Sequence, residues 1–203
     1  MDREDWNDRY RATELVWTAD ANRFVVAEVA DLPPGRALDL AAGEGRNAIW
    51  LAERGWRTSA VDFSDVALDK ARALAESRGV SLETIVADVT TYEAAPGAYD
   101  LVLVAYLQLP EPARSVVLRR ATDAVAPGGT LLVIAHDRSN LDGGYGGPQD
   151  PTVLATPAQV AAALTELDVV TAELVERTVD TPDGPRVAVD HLVRARRDGA
   201  DRG

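Results

Sequence analysis

Short apolar runs alternate with amphipathic stretches along most of the chain. The apolar runs predict buried β-strands, and the stretches between them repeat apolar residues at helical spacing. The predicted strands cover residues 36–40, 57–61, 82–87, 99–106 and 131–135, and the predicted helices cover residues 21–30, 46–54, 65–78, 112–125 and 157–167. This alternation predicts an α/β fold with a doubly wound, Rossmann-like, mostly parallel sheet and helices on both faces.

The last part of the chain departs from this alternation. Residues 169–179 and 186–193 favour strands, and they flank the turn sequence Thr181-Pro182-Asp183-Gly184-Pro185. Such a turn between two strands predicts an antiparallel β-hairpin, because proline, aspartate and glycine each favour tight turns. We place this terminal hairpin at residues 168–196, where it completes a seven-stranded sheet.

Composition limits the classes of protein to consider. The chain has 203 residues, of which 46% are hydrophobic, so we expect a single domain over residues 1–203. It has no cysteine and two histidines, so disulfides are excluded and a metal centre is not expected. No apolar stretch approaches the roughly twenty residues that span a bilayer, and the start lacks the pattern of a signal peptide. We therefore expect a cytoplasmic location and no membrane partner.

Charge bears on the kind of partner. The formal net charge is -12, with 33 acidic and 21 basic residues, and Lys70 is the single lysine. Nucleic-acid binding requires a basic surface, because the phosphate backbone dominates its affinity. We therefore expect no nucleic-acid partner, and solubility is the simplest explanation of the acidic balance.

A glycine-containing turn follows the first predicted strand. Gly43 and Gly45 allow a sharp turn and a close approach of the backbone to a ligand, and the helix that begins near Arg46 directs free N–H groups to the same place. Asp62 ends the second strand, where a carboxylate can reach a ribose diol. This arrangement predicts a site for a nucleotide-like cofactor.

Two cofactors compete for this motif. Residues 43–48 satisfy the G-x-G-x-x-G/A fingerprint of dinucleotide sites. However, Asp39 precedes the glycines, where it would repel a pyrophosphate and attract the ammonium group of a methionine moiety. Asp88 ends the third strand, at a level that suits an adenine amino group, and the remaining chain leaves no room for a hydride-acceptor domain. We therefore favour S-adenosylmethionine over NAD.

The order of the motifs carries a family resemblance. The segments ALDLAAGEGRN, AVDFS, VADV, YDLVLV and VAPGGTLLVIA resemble the motif series of the class I S-adenosylmethionine-dependent methyltransferases over residues 35–136, the expected cofactor-binding core. GEGRNAIWLAERGW followed by AVDFS is similar to the small tellurite-resistance and thiopurine-type methyltransferases. Trp6-Asn7-Asp8-Arg9-Tyr10 resembles the N-terminal lid of thiopurine-type enzymes, so residues 1–20 are expected to form a lid.

The resemblance implies a set of cofactor contacts at the strand ends. It assigns the methionine portion to Asp39, Gly43 and Gly45, the ribose hydroxyls to Asp62, an adenine face to Phe63, and the adenine edge to Asp88 and the Val89 amide, while Ala105 and Tyr106 border the transferable methyl group. Ala41 stands where the commonest motif has glycine, and its methyl group is expected to narrow the cofactor site slightly. Turn capping is the structural alternative for Asp62 and Asp88.

Methyl transfer from S-adenosylmethionine needs little from the protein beyond correct positioning of the acceptor. A sulfonium methyl group is already activated, so holding the acceptor atom about 3 Å from it supplies much of the acceleration. A thiol or metalloid acceptor needs no strong base, whereas a hydroxyl or amine is helped by one. His136 and Asp137, just past the fifth strand, are the best placed candidates, followed by Tyr106 and Tyr145. A purely structural histidine is the alternative for His136.

Two segments are candidates for the substrate pocket. Residues 137–156 carry several glycines around Tyr145 and are expected to form the substrate loop, with a plain flexible connector as the alternative. Trp6, Tyr10 and Trp17 form a second candidate wall, which either packs the lid onto the sheet or covers the cofactor.

The resemblance to the tellurite-resistance enzymes also bears on the acceptor. It implies that a His-Arg pair and a later arginine on the final hairpin face the acceptor, and the matching positions here are Glu176, Arg177 and Arg186. The arginines carry over and the histidine does not, which argues against tellurite-like substrates. The sequence thus predicts methyl transfer to a small-molecule acceptor at O, N, S or a metalloid. A noncatalytic cofactor-binding partner subunit and an NAD-dependent reductase stay open as alternatives, as does the oligomeric state.

Overall fold

The structure is a computed structural model that describes residues 2–199. Its strands are β1 (Arg36–Leu40), β2 (Arg57–Asp62), β3 (Glu83–Val86), β4 (Tyr99–Ala105), β5 (Val125–His136), β6 (Asp168–Val179) and β7 (Arg186–Arg196). Its α-helices are α1 (Arg3–Arg11), α2 (Arg23–Val29), α3 (Arg46–Glu53), α4 (Asp65–Ser77), α5 (Glu111–Ala124) and α6 (Pro157–Ala162). Met1 and residues 200–203, which belong to the predicted domain, lie outside the described range.

The seven strands form one sheet in the order β3-β2-β1-β4-β5-β7-β6. Strands β1 to β5 pair in parallel, whereas β7 lies antiparallel between β5 and β6. The predicted mostly parallel sheet with a terminal antiparallel hairpin is therefore confirmed. The strand order reverses between β1 and β4, and open α/β sheets bind their ligands at the carboxyl ends of strands beside such a reversal.

Helices cover both faces of the sheet, because successive residues of a buried strand point to opposite sides. In β4, Val102 and Val104 belong to a core with α5 and α6, whereas Leu101 and Leu103 belong to a core with α2 and α3. We call these two sides the α5 face and the α2 face. Helix α4 extends the α2 face through Leu68, which packs with residues of α3 and β2.

Strand β5 begins earlier than predicted. The sequence Pro127-Gly128-Gly129 indicates a turn before a strand at residues 131–135, but the strand starts at Val125 and continues through it. Tyr99 and Leu101 of β4 pair with Val125 and Thr130, so β5 bulges at this point. The bulge accommodates proline and glycine inside a strand, where regular pairing would exclude proline.

The helix predicted at residues 157–167 ends at Ala162. Beyond it, Ala163 and Leu164 donate to carbonyls three residues back, so the chain tightens into turns. These turns allow Leu164 and Leu167 to remain in the α5-face core.

Helix α1 was not predicted, and a capping box between Asp2 and Asp5 begins it. Within residues 2–199, no helix is both long and apolar enough to cross a membrane.

Candidate active site

The carboxyl ends of β1 and β2 bring together the glycine turn and two buried aspartates. Asp39 lies in β1 with its side chain toward the α2 face, since its neighbours Leu38 and Leu40 belong to the α5-face core. Asp62 is the last residue of β2, which is the neighbour of β1 in the sheet. The turn that connects β1 to α3 lies between them. One face of the sheet therefore presents both carboxylates to the same cleft.

The Asp39 carboxylate is 1% exposed, and neither of its oxygens has a well-formed hydrogen bond within the described residues. The backbone N–H of Ala48 in α3 is near enough to lower its pKa. Burial raises the pKa of Asp39 from 3.8 to about 7, the negative charge of Asp62 adds to this rise, and the positive charge of Arg46 opposes it. A buried carboxylate without donors is costly. It is therefore a strong candidate to receive a cationic group from a ligand.

Asp62 is held by the backbone of two turns. The N–H of Gly43 donates to Oδ2 at 2.8 Å, and the N–H of Ser64 donates to Oδ1 at 2.9 Å. Burial raises the pKa of Asp62, and these N–H donors oppose the rise. Each oxygen accepts one hydrogen bond and keeps a further lone pair. Asp62 can therefore cap these turns and still accept hydrogen bonds from a ligand.

The turn between β1 and α3 has a strained backbone. Gly43 and Gly45 adopt positive φ angles of 56° and 76°, and Ala41 adopts a φ of 59°. A left-handed conformation costs about 1–2 kcal/mol for a residue with a Cβ, which explains why glycine is the commoner residue where Ala41 stands. A methyl group on Gly45 would also lie 2.8 Å from the Cβ of Ala71 in α4. The turn thus depends on glycine for both conformation and packing.

The segment before α2 covers this glycine turn. A Cβ at Gly43 would lie 2.9 Å from the Tyr10 hydroxyl oxygen and 3.9 Å from Nε1 of Trp17. Trp6 packs against both aromatic side chains, with ring centroids 5.6 Å from Tyr10 and 6.5 Å from Trp17. Burial, followed by the charge of Asp62, raises the pKa of Tyr10. Tyr10 and Trp17, two of the predicted wall residues, therefore lie beside the glycine turn itself.

Glu44 and Lys70 anchor this N-terminal segment. The buried Glu44 carboxylate accepts hydrogen bonds from the backbone N–H groups of Val16 and Trp17. Lys70 of α4 donates to Glu44 at 3.1 Å and to the backbone carbonyls of Tyr10 and Thr13. The residue between the two glycines and the single lysine thus fix the position of the segment over the turn.

The residues assigned to the adenine follow the ends of β2 and β3. Phe63 follows β2 and is half-buried. Asp88 is exposed and caps its own turn, since its Oδ1 accepts from both the N–H and the hydroxyl of Thr90. Val89 is buried and belongs to the α5-face core. The assignment of these three residues to adenine stays a prediction.

A second group of polar side chains lies at the carboxyl ends of β4 and β5. Tyr106 follows β4 with a φ of 57°, and this left-handed conformation is unusual for a residue with a large side chain. Its hydroxyl donates to Asp190 of β7 at 2.6 Å and accepts from Asn22 at 3.2 Å. Its ring lies edge-on to His136, with ring centroids 5.2 Å apart. Ala105, the last residue of β4, is half-buried directly before Tyr106.

Asp190 is the centre of this group. It is fully buried, the Nε of Arg177 donates to its Oδ2 at 2.8 Å, and Nδ1 of His136 lies 3.0 Å from its Oδ1. The histidine contact is bent and falls outside the angular range of a good hydrogen bond. Burial alone would raise the pKa of Asp190, but His136, Tyr106 and Arg177 together lower it. Asp190 is therefore an ionised carboxylate with two hydrogen-bond donors at Oδ2 and the His136 ring beside Oδ1.

Asp137 does not share this site. Residues 136 and 137 are successive along the chain, so His136 points to the α2 face and Asp137 to the opposite side. Asp137 lies 3.6 Å from Nδ1 of the buried His191 and caps the turn at Ser139. The structure thus separates the two residues that the sequence placed together as candidate bases.

The glycine-containing loop packs against the end of the sheet. Tyr145 donates its backbone N–H to the carbonyl of Val187, and its side chain is 42% exposed. A Cβ at Gly147 would lie 2.8 Å from the imidazole ring of His136, so this loop covers His136. Arg177 lies in the site beside Asp190, whereas Arg186 is exposed at the start of β7. The loop and Arg177 are thus near the candidate base, whereas Arg186 pairs with Val179, four residues along β7 from the Asp190 that faces His136.

Sequence reasoning missed three parts of this arrangement, namely Asp190, the Glu44–Lys70 pair and Asn22. Asp190 and His136 face each other in the pairing of β5 with β7, which the sequence does not reveal. Glu44 and Lys70 each had a detectable signal, since Glu44 lies between the two motif glycines and Lys70 is the single lysine.

Fold and site together define an α/β domain that binds a nucleoside-type cofactor beside the reversal of its sheet. Residues 37–129 match the family described as a methyltransferase domain. This stretch is just under half of the chain, and the match agrees with the motif resemblance to the class I S-adenosylmethionine-dependent methyltransferases. S-adenosylmethionine is the cofactor of this family.

Two curated relatives match part of the chain. It is 28% identical over 117 residues to a 2-heptyl-1-hydroxyquinolin-4(1H)-one methyltransferase of Mycobacteroides abscessus, covering 56% of this chain and 52% of that protein. It is 34% identical over 112 residues to the tRNA 5-carboxymethoxyuridine methyltransferase of Escherichia coli, covering 52% of this chain and 42% of that protein. The chain thus spans about half the length of the curated relatives it matches.

Solved structures share the fold over almost the whole chain. TehB from Haemophilus influenzae matches with a TM-score of 0.73 and 17% identity, covering 97% of this chain and 67% of that chain. The N-methyltransferase NodS from Bradyrhizobium japonicum, in complex with S-adenosylhomocysteine, matches with a TM-score of 0.72 and 19% identity, covering 97% of this chain and 99% of that chain. These likenesses establish the fold, which includes the terminal strands.

The residues of the cleft fit the family's cofactor. Asp39 offers a buried carboxylate without a well-formed hydrogen bond in the part of the chain that the structure describes, which suits the ammonium group of the methionine moiety. Asp62 offers free lone pairs for ribose hydroxyls, and the N-terminus of α3 opens at Gly45 without a side-chain cap. Each of these features lies within the stretch that matches the methyltransferase family.

Proposed function

We propose that this protein transfers a methyl group from S-adenosylmethionine to a small-molecule acceptor by in-line displacement at the sulfonium methyl. The observation that carries the proposal is the Asp39 carboxylate, which is buried on the same face of the sheet as the Tyr106 and His136 side chains and has no well-formed hydrogen bond within residues 2–199. A cationic cofactor satisfies this carboxylate, and an acceptor beside Tyr106 then lies next to the reacting end of the cofactor.

The cofactor supplies an activated methyl group, and the residues of the chain supply position. Asp39 would hold the amino group of the cofactor and Asp62 its ribose hydroxyls. Residues 2–20 act as a lid, since Tyr10 and Trp17 lie on the glycine turn and Glu44 and Lys70 hold them there. Exclusion of water from the cleft and a fixed acceptor position then account for most of the acceleration.

A small molecule is favoured over RNA as the acceptor. One relative acts on a hydroxyquinolinone and another on tRNA, so relatives alone leave both classes open. The net charge of -12 and the single lysine favour the small molecule, because an RNA substrate requires a basic contact surface. We also propose a cytoplasmic location, which supplies the cofactor.

The test is a screen of acceptors with methyl-labelled S-adenosylmethionine. Phenols, hydroxyquinolinones, amines, thiols and unmodified tRNA are compared, with label transfer as the readout. Transfer to one or more of the small molecules supports the proposal. Transfer to tRNA alone would contradict the small-molecule acceptor while preserving the enzyme class.

Binding calorimetry with S-adenosylhomocysteine, NAD and NADP separates the two remaining alternatives. A preference for NAD would indicate a reductase. Binding of S-adenosylhomocysteine without transfer to any acceptor would indicate a noncatalytic cofactor-binding subunit.

A further inference from the structure

We propose that Asp190 is a positioning residue that orients His136 as the general base for an acceptor that must lose a proton, such as a phenol, another hydroxyl or an amine. The inference rests on the proposed function, and it names the class of acceptor that the site serves. The geometry that supports it is the placement of the His136 ring between Asp190 on one side and the cleft beside Tyr106 on the other.

The position of the ring is fixed from several directions. Nδ1 of His136 lies 3.0 Å from Asp190 Oδ1, and the two residues face each other in the pairing of β5 with β7. The imidazole makes a T-shaped contact with the Tyr106 ring, and the backbone of Gly147 packs on it so closely that a Cβ there would approach to 2.8 Å. Little rotational freedom remains for the ring, which is the condition for a positioned base.

The carboxylate determines which ring nitrogen is free. In a neutral imidazole one nitrogen carries the proton and the other accepts. Asp190 beside Nδ1 favours the proton at Nδ1, which leaves the lone pair at Nε2. No group within residues 2–199 forms a hydrogen bond with Nε2, and the side chain remains 13% exposed. Catalytic hydrogen bonds are often bent without ligand, so the bent contact at Nδ1 is compatible with this role.

Asp190 is suited to this task because it stays charged. It is fully buried, and the Tyr106 hydroxyl and the Arg177 Nε both donate to its Oδ2, which leaves Oδ1 for His136. The left-handed backbone at Tyr106 brings the tyrosine hydroxyl to this position. Backbone strain at such a residue persists where the surrounding structure requires it, often at functional sites.

In the proposed step the acceptor loses a proton and gains a methyl group. A lone pair of the acceptor oxygen or nitrogen forms the bond to the methyl carbon, and the bond from that carbon to sulfur breaks, which leaves S-adenosylhomocysteine. The proton of the acceptor passes to Nε2 of His136, so the imidazolium that forms lies beside the Asp190 carboxylate. A thiolate acceptor carries no proton and does not need this transfer.

Nitrogen NMR of the wild-type protein tests the orientation without any acceptor. The chain has two histidines, His136 and His191, so ¹⁵N-histidine labelling gives two rings, and His191→Gln assigns them. The proposal expects the neutral His136 ring to carry its proton at Nδ1 in the wild type. It expects Asp190→Asn to shift the proton toward Nε2. A wild-type ring that carries the proton at Nε2 would overturn the proposal, whether or not the variant folds.

Kinetics tests the chemical role once an acceptor is known. Asp190→Asn is expected to lower kcat at least tenfold with a hydroxyl acceptor, and His136→Gln about a hundredfold, because positioned bases contribute 10²–10⁴. The affinity for S-adenosylhomocysteine should stay unchanged, and turnover of an acceptor that is already ionised in solution should fall less than about threefold. Asp180→Asn changes an exposed aspartate on the same hairpin and serves as the control.

The outcomes separate this proposal from the proposed function. Equal losses of kcat for protic and ionised acceptors would show that Asp190 only maintains the structure. The proposed dyad of Asp190 and His136 would then be wrong. Wild-type transfer to thiols alone would also contradict the dyad, while methyl transfer itself would stand. A protein that neither binds S-adenosylhomocysteine nor transfers label would contradict the proposed function, whatever the histidine spectra show.

Discussion

Replacing Asp39 with asparagine tests the role of the buried carboxylate in two ways. Burial and the charge of Asp62 raise the pKa of Asp39 from 3.8 to about 7 in the native chain. Between about pH 4 and pH 7 the native chain therefore binds more protons than the unfolded chain, so the free energy of unfolding falls as pH rises through this window and is level above it. Asparagine has the same shape and does not titrate, so the variant should lack this fall.

The magnitude follows from the difference in pKa. A rise from 3.8 to about 7 corresponds to an upper limit of about 4 kcal/mol, at 1.36 kcal/mol for each pKa unit. We expect Asp39→Asn to match the wild type near pH 4 and to be more stable, within that limit, above about pH 7. The same variant should bind S-adenosylhomocysteine at least tenfold more weakly, about 1.4 kcal/mol, because it lacks the charge that attracts the amino group.

Urea unfolding at about pH 5 and about pH 8, without ligand, measures the first effect, and binding calorimetry measures the second. Asp123→Asn changes an exposed aspartate of α5 and is the matched control. A variant that is stabilised yet binds the ligand like the wild type would refute the role of Asp39 in the cofactor site. A variant that is destabilised at the higher pH would refute the account of its burial.

Three further predictions concern the glycine turn and the segment that covers it. Asp62→Ala should weaken S-adenosylhomocysteine binding at least tenfold, about 1.4 kcal/mol, in calorimetry, and an unchanged affinity would show that the ribose lies elsewhere. Lys70→Met should loosen residues 10–17, while Arg3 and Asn7 still bond to Asp65 of α4, so that protease cleaves at residues 10–17 faster without ligand than in the wild type, and equal cleavage would contradict the anchoring role. Ala41→Gly should raise the free energy of unfolding by about 0.5–1 kcal/mol, because the relieved left-handed strain exceeds the added entropy of the unfolded chain, and a lower stability would contradict the strain.

The sheet could be predicted from the sequence because its strands are buried on both faces. Such strands are nearly continuous apolar runs, and β1 has the predicted bounds of Arg36–Leu40. The bounds of β5 were wrong because a bulge places Pro127-Gly128-Gly129 inside a strand, and local turn chemistry cannot reveal a bulge that the neighbouring strand imposes. The helix at residues 157–167 was predicted too long, because buried leucines continue its pattern into turns that are not helical.

Residues of the candidate site could be predicted only where the glycine motif and the predicted strand ends mark the same place in the fold. Asp39, Gly43 and Asp62 follow from local sequence, since the turn and the strand ends fix their side of the sheet. Asp190 could not be found in this way, because its contact with His136 depends on the pairing of β5 with β7. The alternation of side chains along β5 places Asp137 and His136 on opposite sides of the sheet. Predicting this separation requires knowing the residue at which β5 ends.

The crystal structure of the protein grown with S-adenosylhomocysteine is the most direct test of the central claim. The account predicts a nucleoside across the ends of β1 and β2, with the ligand amino group at Asp39, the ribose hydroxyls at Asp62 and the sulfur facing Tyr106. Electron density for this ligand at another place, or a glycine turn that accepts the pyrophosphate of NAD in its stead, would contradict the account.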